Sequence, residues 1–316
     1  MAATPSSIRA AAGPRDLREG EAWTPSQRVK NALLFVLAST ALALLAPLPV
    51  SVLRALGRSL GRLLYVALPG PRRIALTNLS RALPHLAREE RVVIARRVYV
   101  ELGGHLGDTV ALLSPAHALT PLPIEPRSRE VLDSAIAEGK GVVFVSAHLG
   151  PWERVAGSLV SAGIPLTTIA REGYDPRFTT VFDRLRRRLG VDVVYRGSPG
   201  AAVRIVRALR RGGLLGAPMD LESRVPSIVC PFLGSPARTA VGPARIALRT
   251  GAAVVVGTVA PVEGRLRITA TRMDTAGLEV SPEGERALTT SLNDELSRRI
   301  LAFPVGWVWM HPRWPS

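Results

Sequence analysis

The chain has 316 residues, 47% of them hydrophobic and 21% charged, and 41 Lys and Arg against 25 Asp and Glu give a formal net charge of +16. This apolar fraction excludes a disordered chain, and the length allows one large domain or two small ones. A lone cysteine, Cys230, excludes an intrachain disulfide framework and any cysteine-rich zinc module. The basic excess points to an anionic partner, which composition leaves open among nucleic acid, an anionic membrane surface and an acidic carrier protein.

From Asn31 to Leu53 the chain runs 23 residues without a charge, bracketed by Arg28 and Lys30 before and Arg54 after. A helix of that length reaches roughly 34 Å at ~1.5 Å per residue, enough for the hydrocarbon core of a bilayer. A cleaved signal peptide is the competing reading, but the run starts late and ends in Pro47, Pro49 and Arg54 without an Ala-x-Ala site. The two prolines also allow a helix that dips into one leaflet and returns. Residues 1–27 before it are expected to be flexible.

Leu53 to Leu68 sets Arg54, Arg58 and Arg62 four apart, with Leu53, Leu56, Leu60, Leu63 and Leu64 filling the opposite side. This is the pattern of a basic amphipathic helix lying on lipid, and residues 28–70 are read as anchor plus amphipathic helix. Between Arg54 and Arg88 there are seven Arg and no acid. Such a block beside an apolar segment favours an anionic membrane surface on the cytoplasmic side, with a solvated basic face as the alternative.

A helical region from Arg88 to Leu113 is followed by alternating apolar runs and amphipathic segments. Val142–Ala147, Pro165–Ala170, Val191–Tyr195 and Leu214–Pro218 read as strands. Trp152–Ala162, Arg177–Leu189 and Ala201–Arg211 read as helices stopped by glycines. The pattern predicts an α/β fold with a mostly parallel central sheet flanked by helices. Ala252–Ala260 and Arg265–Thr271 read as a closing hairpin, and Pro282–Leu301 as a last helix.

Ligands of open parallel sheets gather beyond the carboxyl ends of the strands. After the first strong strand the sequence reads VVFVSAHLGPWERVAG, with His148 in the turn and Glu153 about one helical turn later. A His held by a carboxylate is the base half of a hydrolase triad without an internal nucleophile. It can deprotonate a hydroxyl and let it attack a thioester directly. The spacing alone is weak, since a lone His near a core is more often structural. No Walker loop, G-x-G-x-x-G turn, H-E-x-x-H or Cys/His metal spacing competes with it. His105 with Asp108 is a second such pair, read as structural because it lies on a helix outside the sheet region.

The HLGPWE turn resembles the His-x4-Asp/Glu motif of the lysophospholipid acyltransferase superfamily, in the form found in lipid A late acyltransferases and the related phosphatidylinositol mannoside acyltransferases. The resemblance runs from about Val29 to the C-terminus through RRIALTNLSRALPH at Arg72, AREGYDPRF at Ala170, the stretch from Gly216 to Ala252, and WVWMHPRW at Trp307. It implies a glycerol-phosphate acyltransferase-like fold for residues 71–316, with His148 as general base and Glu153 as its partner. It further implies that Arg171 binds an acceptor phosphate or steadies the oxyanion, and that Asp220, Arg238, His311 and Arg313 face substrate. Trp309 and Trp314 are expected to pack. Leu221, where many relatives carry a polar residue, leaves the acceptor open, and Ala147 in place of Asn argues against the glycerolipid branch.

The resemblance implies a membrane-bound enzyme of the inner membrane, its active site on the cytoplasmic face, needing no cofactor or metal. The donor would be an acyl carrier protein thioester, with acyl-coenzyme A as the alternative, and the acceptor a membrane lipid such as a lipid A precursor. Arg177 to Arg211 holds ten Arg against two Asp, a surface suited to the acidic carrier or to coenzyme A, or merely two solvated helix faces. Basic residues without interleaved aromatics do not suggest nucleic acid. A catalytically inactive lipid-binding protein is the reading from a different class.

Overall fold

The computed structural model describes residues 20–222 and 225–314. Most of the stretch expected to be flexible, residues 1–19, lies outside them. In chain order the helices are α1 (Pro25–Leu45), α2 (Val50–Ala67), α3 (Pro69–Ala82), α4 (Arg88–Ala111), α5 (Pro126–Ala137), α6 (Trp152–Ser161), α7 (Pro176–Arg188), α8 (Ala201–Arg210), α9 (Gly242–Thr250) and α10 (Pro282–Ala302). The strands are β1 (Val142–Ser146), β2 (Leu166–Ala170), β3 (Asp192–Tyr195), β4 (Leu214–Pro218), β5 (Ser227–Phe232), β6 (Ser235–Ala240), β7 (Ala253–Val262) and β8 (Arg265–Arg272). Six strands form one sheet in the order β3-β2-β4-β1-β7-β8, all parallel except β8, which runs against β7; β5 and β6 form a separate hairpin.

The central strands read as unbroken apolar runs because both faces are covered. One core lies on the face of Val143 and Val145 and includes Leu79 of α3, Leu292 of α10, Trp307 and Trp309. The other lies on the face of Val142 and Phe144, under Val155 and Leu159 of α6. The register Ser146↔Pro218 of β1 and β4 brings the residues two steps beyond each strand, His148 and Asp220, opposite one another.

The uncharged run does not form one helix through Leu53. Thr24 caps α1 by accepting from the Gln27 amide, so the helix starts within the stretch expected to be flexible, and it ends at Leu45, with Pro47 and Pro49 separating it from α2. Proline removes the amide and fixes φ, so a helix breaks there. α1 is 21 residues with a mean hydropathy of 1.5 and mostly exposed, long and apolar enough to span a bilayer at about 31 Å. The start of α1 rests on the segment after β2: Gln27 donates to the Tyr174 hydroxyl at 3.0 Å, and Phe35 meets Phe178 edge-on at 5.3 Å.

α2 packs on α4 by a face the leucine spacing does not reveal. Its buried residues are Leu53, Gly57, Gly61 and Tyr65, and they meet Tyr99, Gly103 and Gly107 of α4. A Cβ on Gly57 would stand 2.0 Å from the Gly103 carbonyl oxygen, so the backbones touch only because both residues are glycine. Leu56, Leu60 and Leu63 are left 47%, 41% and 61% exposed. The His105 and Asp108 pair lies on α4, where Asp108 accepts from Arg54 of α2 and stands 4.0 Å from Arg154 of α6.

Candidate active site

Four strands end at one cavity. His148 follows β1, Asp220 follows β4, Arg171 follows β2 and Arg196 follows β3, with the Arg196 amide donating to Ala170 O at 2.9 Å. The cavity holds about 380 Å³, within the range of small-molecule sites. Its mouth carries His148, Arg171, Arg196 and His311. Its deep part is apolar, lined by Phe144, Val155, Leu159, Leu166 and Val191 between α6 and the sheet.

His148 is held from one side by Asp220, not by Glu153. Its backbone amide donates to Asp220 Oδ2 at 2.8 Å and its Nδ1–H to Asp220 Oδ1 at 2.9 Å. Trp307 Nε1 donates to the same Oδ2 at 2.8 Å, so the fully buried carboxylate accepts three hydrogen bonds. Burial alone would raise the Asp220 carboxyl, but the facing imidazole and these bonds hold it below the usual carboxylate range. Burial likewise pulls the His148 imidazole down, and the Asp220 charge and hydrogen bond outweigh it, so its pKa is raised above 6.5. With Nδ1 committed, Nε2 on the far side of the ring is left for the cavity. The ring packs edge-on against Trp152, with centroids 5.2 Å apart.

Glu153 lines the same cavity but is clamped by Arg186 of α7, whose Nη2 and Nε reach its two oxygens at 2.5 and 3.1 Å. Both partners are mostly buried, at 7% and 18% side-chain exposure. The first turn of α6 carries Glu153 toward α7, and a guanidinium satisfies both carboxylate oxygens where an imidazole would satisfy one. Glu153 therefore acts on His148 only through its charge, which also raises the imidazole pKa.

The remaining site residues divide. Arg171 lines the mouth, and His311 faces it with a neutral imidazole, its pKa lowered chiefly by burial and further by the His148 and Arg313 charges. The Nδ1 of His311 is buried without a partner. Asn78 of α3 fixes the segment by donating to the carbonyls of Trp309 and His311, both at 2.9 Å. Arg313 does not face a ligand: it is fully buried, donates to Arg238 O and Thr239 Oγ1, and stacks 4.6 Å over the Phe232 ring. Arg238 offers only its carbonyl to this arrangement, and its side chain points to solvent from β6, outside the cavity lining. Trp309 and Trp314 are buried in the core.

Three contributors escaped sequence reasoning. Arg196 stands beside Arg171 at the next strand end, and its pKa is lowered by burial and by the Arg171 charge. Its place directly after an apolar strand was the available signal. Arg186 was hidden in a run of three arginines, and Trp307 beside two tryptophans, Trp309 and Trp314, expected to pack. Among the described residues no group of three or more His, Cys, Asp or Glu stands close enough to hold a metal ion.

Residues 23–316 match the family described as bacterial lipid A biosynthesis acyltransferase. Curated relatives include phosphatidylinositol mannoside acyltransferases of Mycobacterium tuberculosis, 28% identical over 58% of this chain and 57% of the relative, and of Mycolicibacterium smegmatis, 29% identical over 57% of this chain and 59% of the relative. The matched region thus spans less than two thirds of those relatives. With a match that takes in the apolar helix, all four strand ends of the cavity and the tryptophan that holds Asp220, the chain belongs to the bacterial lipid A biosynthesis acyltransferase family.

Proposed function

We propose that the protein is a membrane-bound O-acyltransferase that moves a fatty acyl chain from an acyl carrier protein thioester to a hydroxyl of a lipid A precursor, on the cytoplasmic face of the inner membrane. The observation that carries this reading is the open Nε2 of a carboxylate-held His148 at the mouth of a cavity whose depth is apolar. The acceptor O–H gives its proton to Nε2 as its oxygen attacks the thioester carbon. The tetrahedral oxyanion collapses by breaking the C–S bond, and the thiolate takes the proton back from the imidazolium. Asp220 keeps the proton on Nδ1 and stabilises the imidazolium; Glu153 sets Arg186 and adds charge. The amides of His148, Gly150 and Trp152 already donate within the protein, to Asp220, Gly306 and Gly150. Arg171 and Arg196 are the cationic side chains at the mouth that can serve the oxyanion or a substrate phosphate. His311, at the mouth of the cavity, faces the acceptor headgroup.

Exposed Arg187, Arg207, Arg210 and Arg211 support docking of an acidic carrier. The names of the curated relatives favour a second acceptor, a phosphatidylinositol mannoside, with the same chemistry. The test is transfer of labelled acyl chains by detergent-solubilised protein, from acyl carrier protein and coenzyme A in parallel, to lipid A precursors, phosphatidylinositol mannosides and lysophospholipids. Turnover with one acceptor, lost by about two orders of magnitude or more in His148→Ala, is expected. An acyl-enzyme on Ser146, the serine lining the cavity, would overturn the direct mechanism.

A further inference from the structure

A second basic concavity lies away from the strand ends, between α3 and the first turns of α4. It encloses about 430 Å³, and its lining includes Arg72, Arg73, Arg88 and Arg91 with the hydroxyl residues Thr77 and Ser80. No acid lines it. Glu89 and Glu90 share that α4 turn, Glu90 accepting from the Ala87 amide at 2.7 Å, but neither lines the groove. Arg72 is anchored, donating to Tyr65 O with its guanidinium over the Tyr65 ring, whereas among the described residues no carboxylate pairs with Arg73, Arg88 or Arg91. Three cations lining one groove without a carboxylate paired to any of them repel one another and favour a bound anion. Hydroxyls between guanidinium forks are the donor set that phosphate oxygens satisfy.

The surroundings say what carries that phosphate. The groove's Pro69 directly follows Leu68 where α2 passes into α3, and the last turns of α2 leave Leu63, Val66 and Leu68 exposed by 61%, 69% and 40%. An anion bound there has apolar side chains at its flank, which a free ion does not use and an acyl-bearing molecule does. We propose that the α3–α4 groove is a binding site for the phosphate headgroup of an anionic membrane lipid, separate from the cavity at His148. The inner face of α3 holds the His311 segment through Asn78, so a lipid seated on the outer face fixes the catalytic mouth against the membrane surface.

The test needs no acyl transfer, so its outcome is independent of the reaction assigned above. Detergent-solubilised full-length protein is titrated calorimetrically with short-chain phosphatidic acid, short-chain phosphatidylcholine and inorganic phosphate. Saturable binding of phosphatidic acid is expected, with that site weakened about tenfold or more in Arg73→Gln/Arg91→Gln. It should be kept in Arg204→Gln/Arg207→Gln, which removes as much charge from α8, and in Arg196→Gln at the other cavity. Equal loss in the α8 variant would reduce the effect to diffuse electrostatics and overturn the proposal, as would unchanged binding in the groove variant. Inorganic phosphate binding as tightly as the lipid would overturn the lipid assignment.

Discussion

Asp220→Asn separates two carboxylates that the His-x4-Glu spacing leaves confused. Asp220 Oδ2 accepts from two N–H groups, those of the His148 backbone and the Trp307 indole, while Oδ1 accepts from His148 Nδ1–H. In the asparagine variant only the amide oxygen can take the Oδ2 place, because an NH2 group there would face two donors. The NH2 then points at Nδ1, which must become an acceptor, and the imidazole proton moves to Nε2. That is the nitrogen the reaction needs bare, and the imidazolium also loses its counter-charge. A tautomer reversal of this kind in a hydrolase triad costs about 10^4 in kcat, and a loss of about 10^3- to 10^4-fold is expected here with KM little changed. The side chains are isosteric and the hydrogen bonds survive, so the far-ultraviolet spectrum should match the parent. The assay is initial rate at saturating donor and acceptor, beside Glu153→Gln. Asp220→Asn within about tenfold of the parent, with Glu153→Gln falling a thousandfold, would refute the assignment of Asp220 as the imidazole's partner.

The Glu153 and Arg186 pair is mostly buried, so Glu153→Gln should destabilise the protein by about 3 kcal/mol by leaving a buried guanidinium unpaired. Glu153→Gln/Arg186→Gln should recover much of that, measured by thermal unfolding of the four proteins of the cycle. The raised pKa of His148 makes the bare base scarce in acid. kcat/KM should therefore climb with pH through a limb above 6.5, and an activity already on its plateau below 6.5 would contradict the Asp220 interaction. Gly57→Val should push α2 off α4, since the added carbon falls 2.0 Å from a backbone oxygen that cannot retreat. A loss of roughly 1–3 kcal/mol or more, read as a lower unfolding temperature in detergent, is expected.

The sheet was legible because its strands are covered on both faces and so read as apolar blocks. β1, β2, β3, β4 and the β7–β8 hairpin fall within a residue or two of their expected bounds. The β5–β6 hairpin was not legible: Pro231 and Pro236 sit in it, and prolines in a short run argue against strands. α3, which opens on Pro69-Gly70-Pro71, was hidden for the same reason. Within the site, His148 announced itself by following a strand, but its partner lies 72 residues away and is fixed by the pairing of β1 with β4. Strand order is a tertiary fact that one sequence does not spell. Arg313 misled because a cation near the end of a motif suggests an anionic ligand, whereas here the ring of Phe232 and the Thr239 hydroxyl take it into the core.

The indole of Trp307 gives the site an order of assembly in the cell. β1 and β4 can pair as soon as residue 218 has left the ribosome, and α1 can enter the bilayer long before that. Asp220 at that stage has one of its three donors still to be translated, 87 residues downstream, so one of the bonds that help hold its carboxyl low is missing. The surroundings of His148 and Asp220 are thus complete only when Trp307 has folded back onto them. A nascent chain whose first helix has long since formed still lacks the completed Asp220 environment until residue 307 has been made.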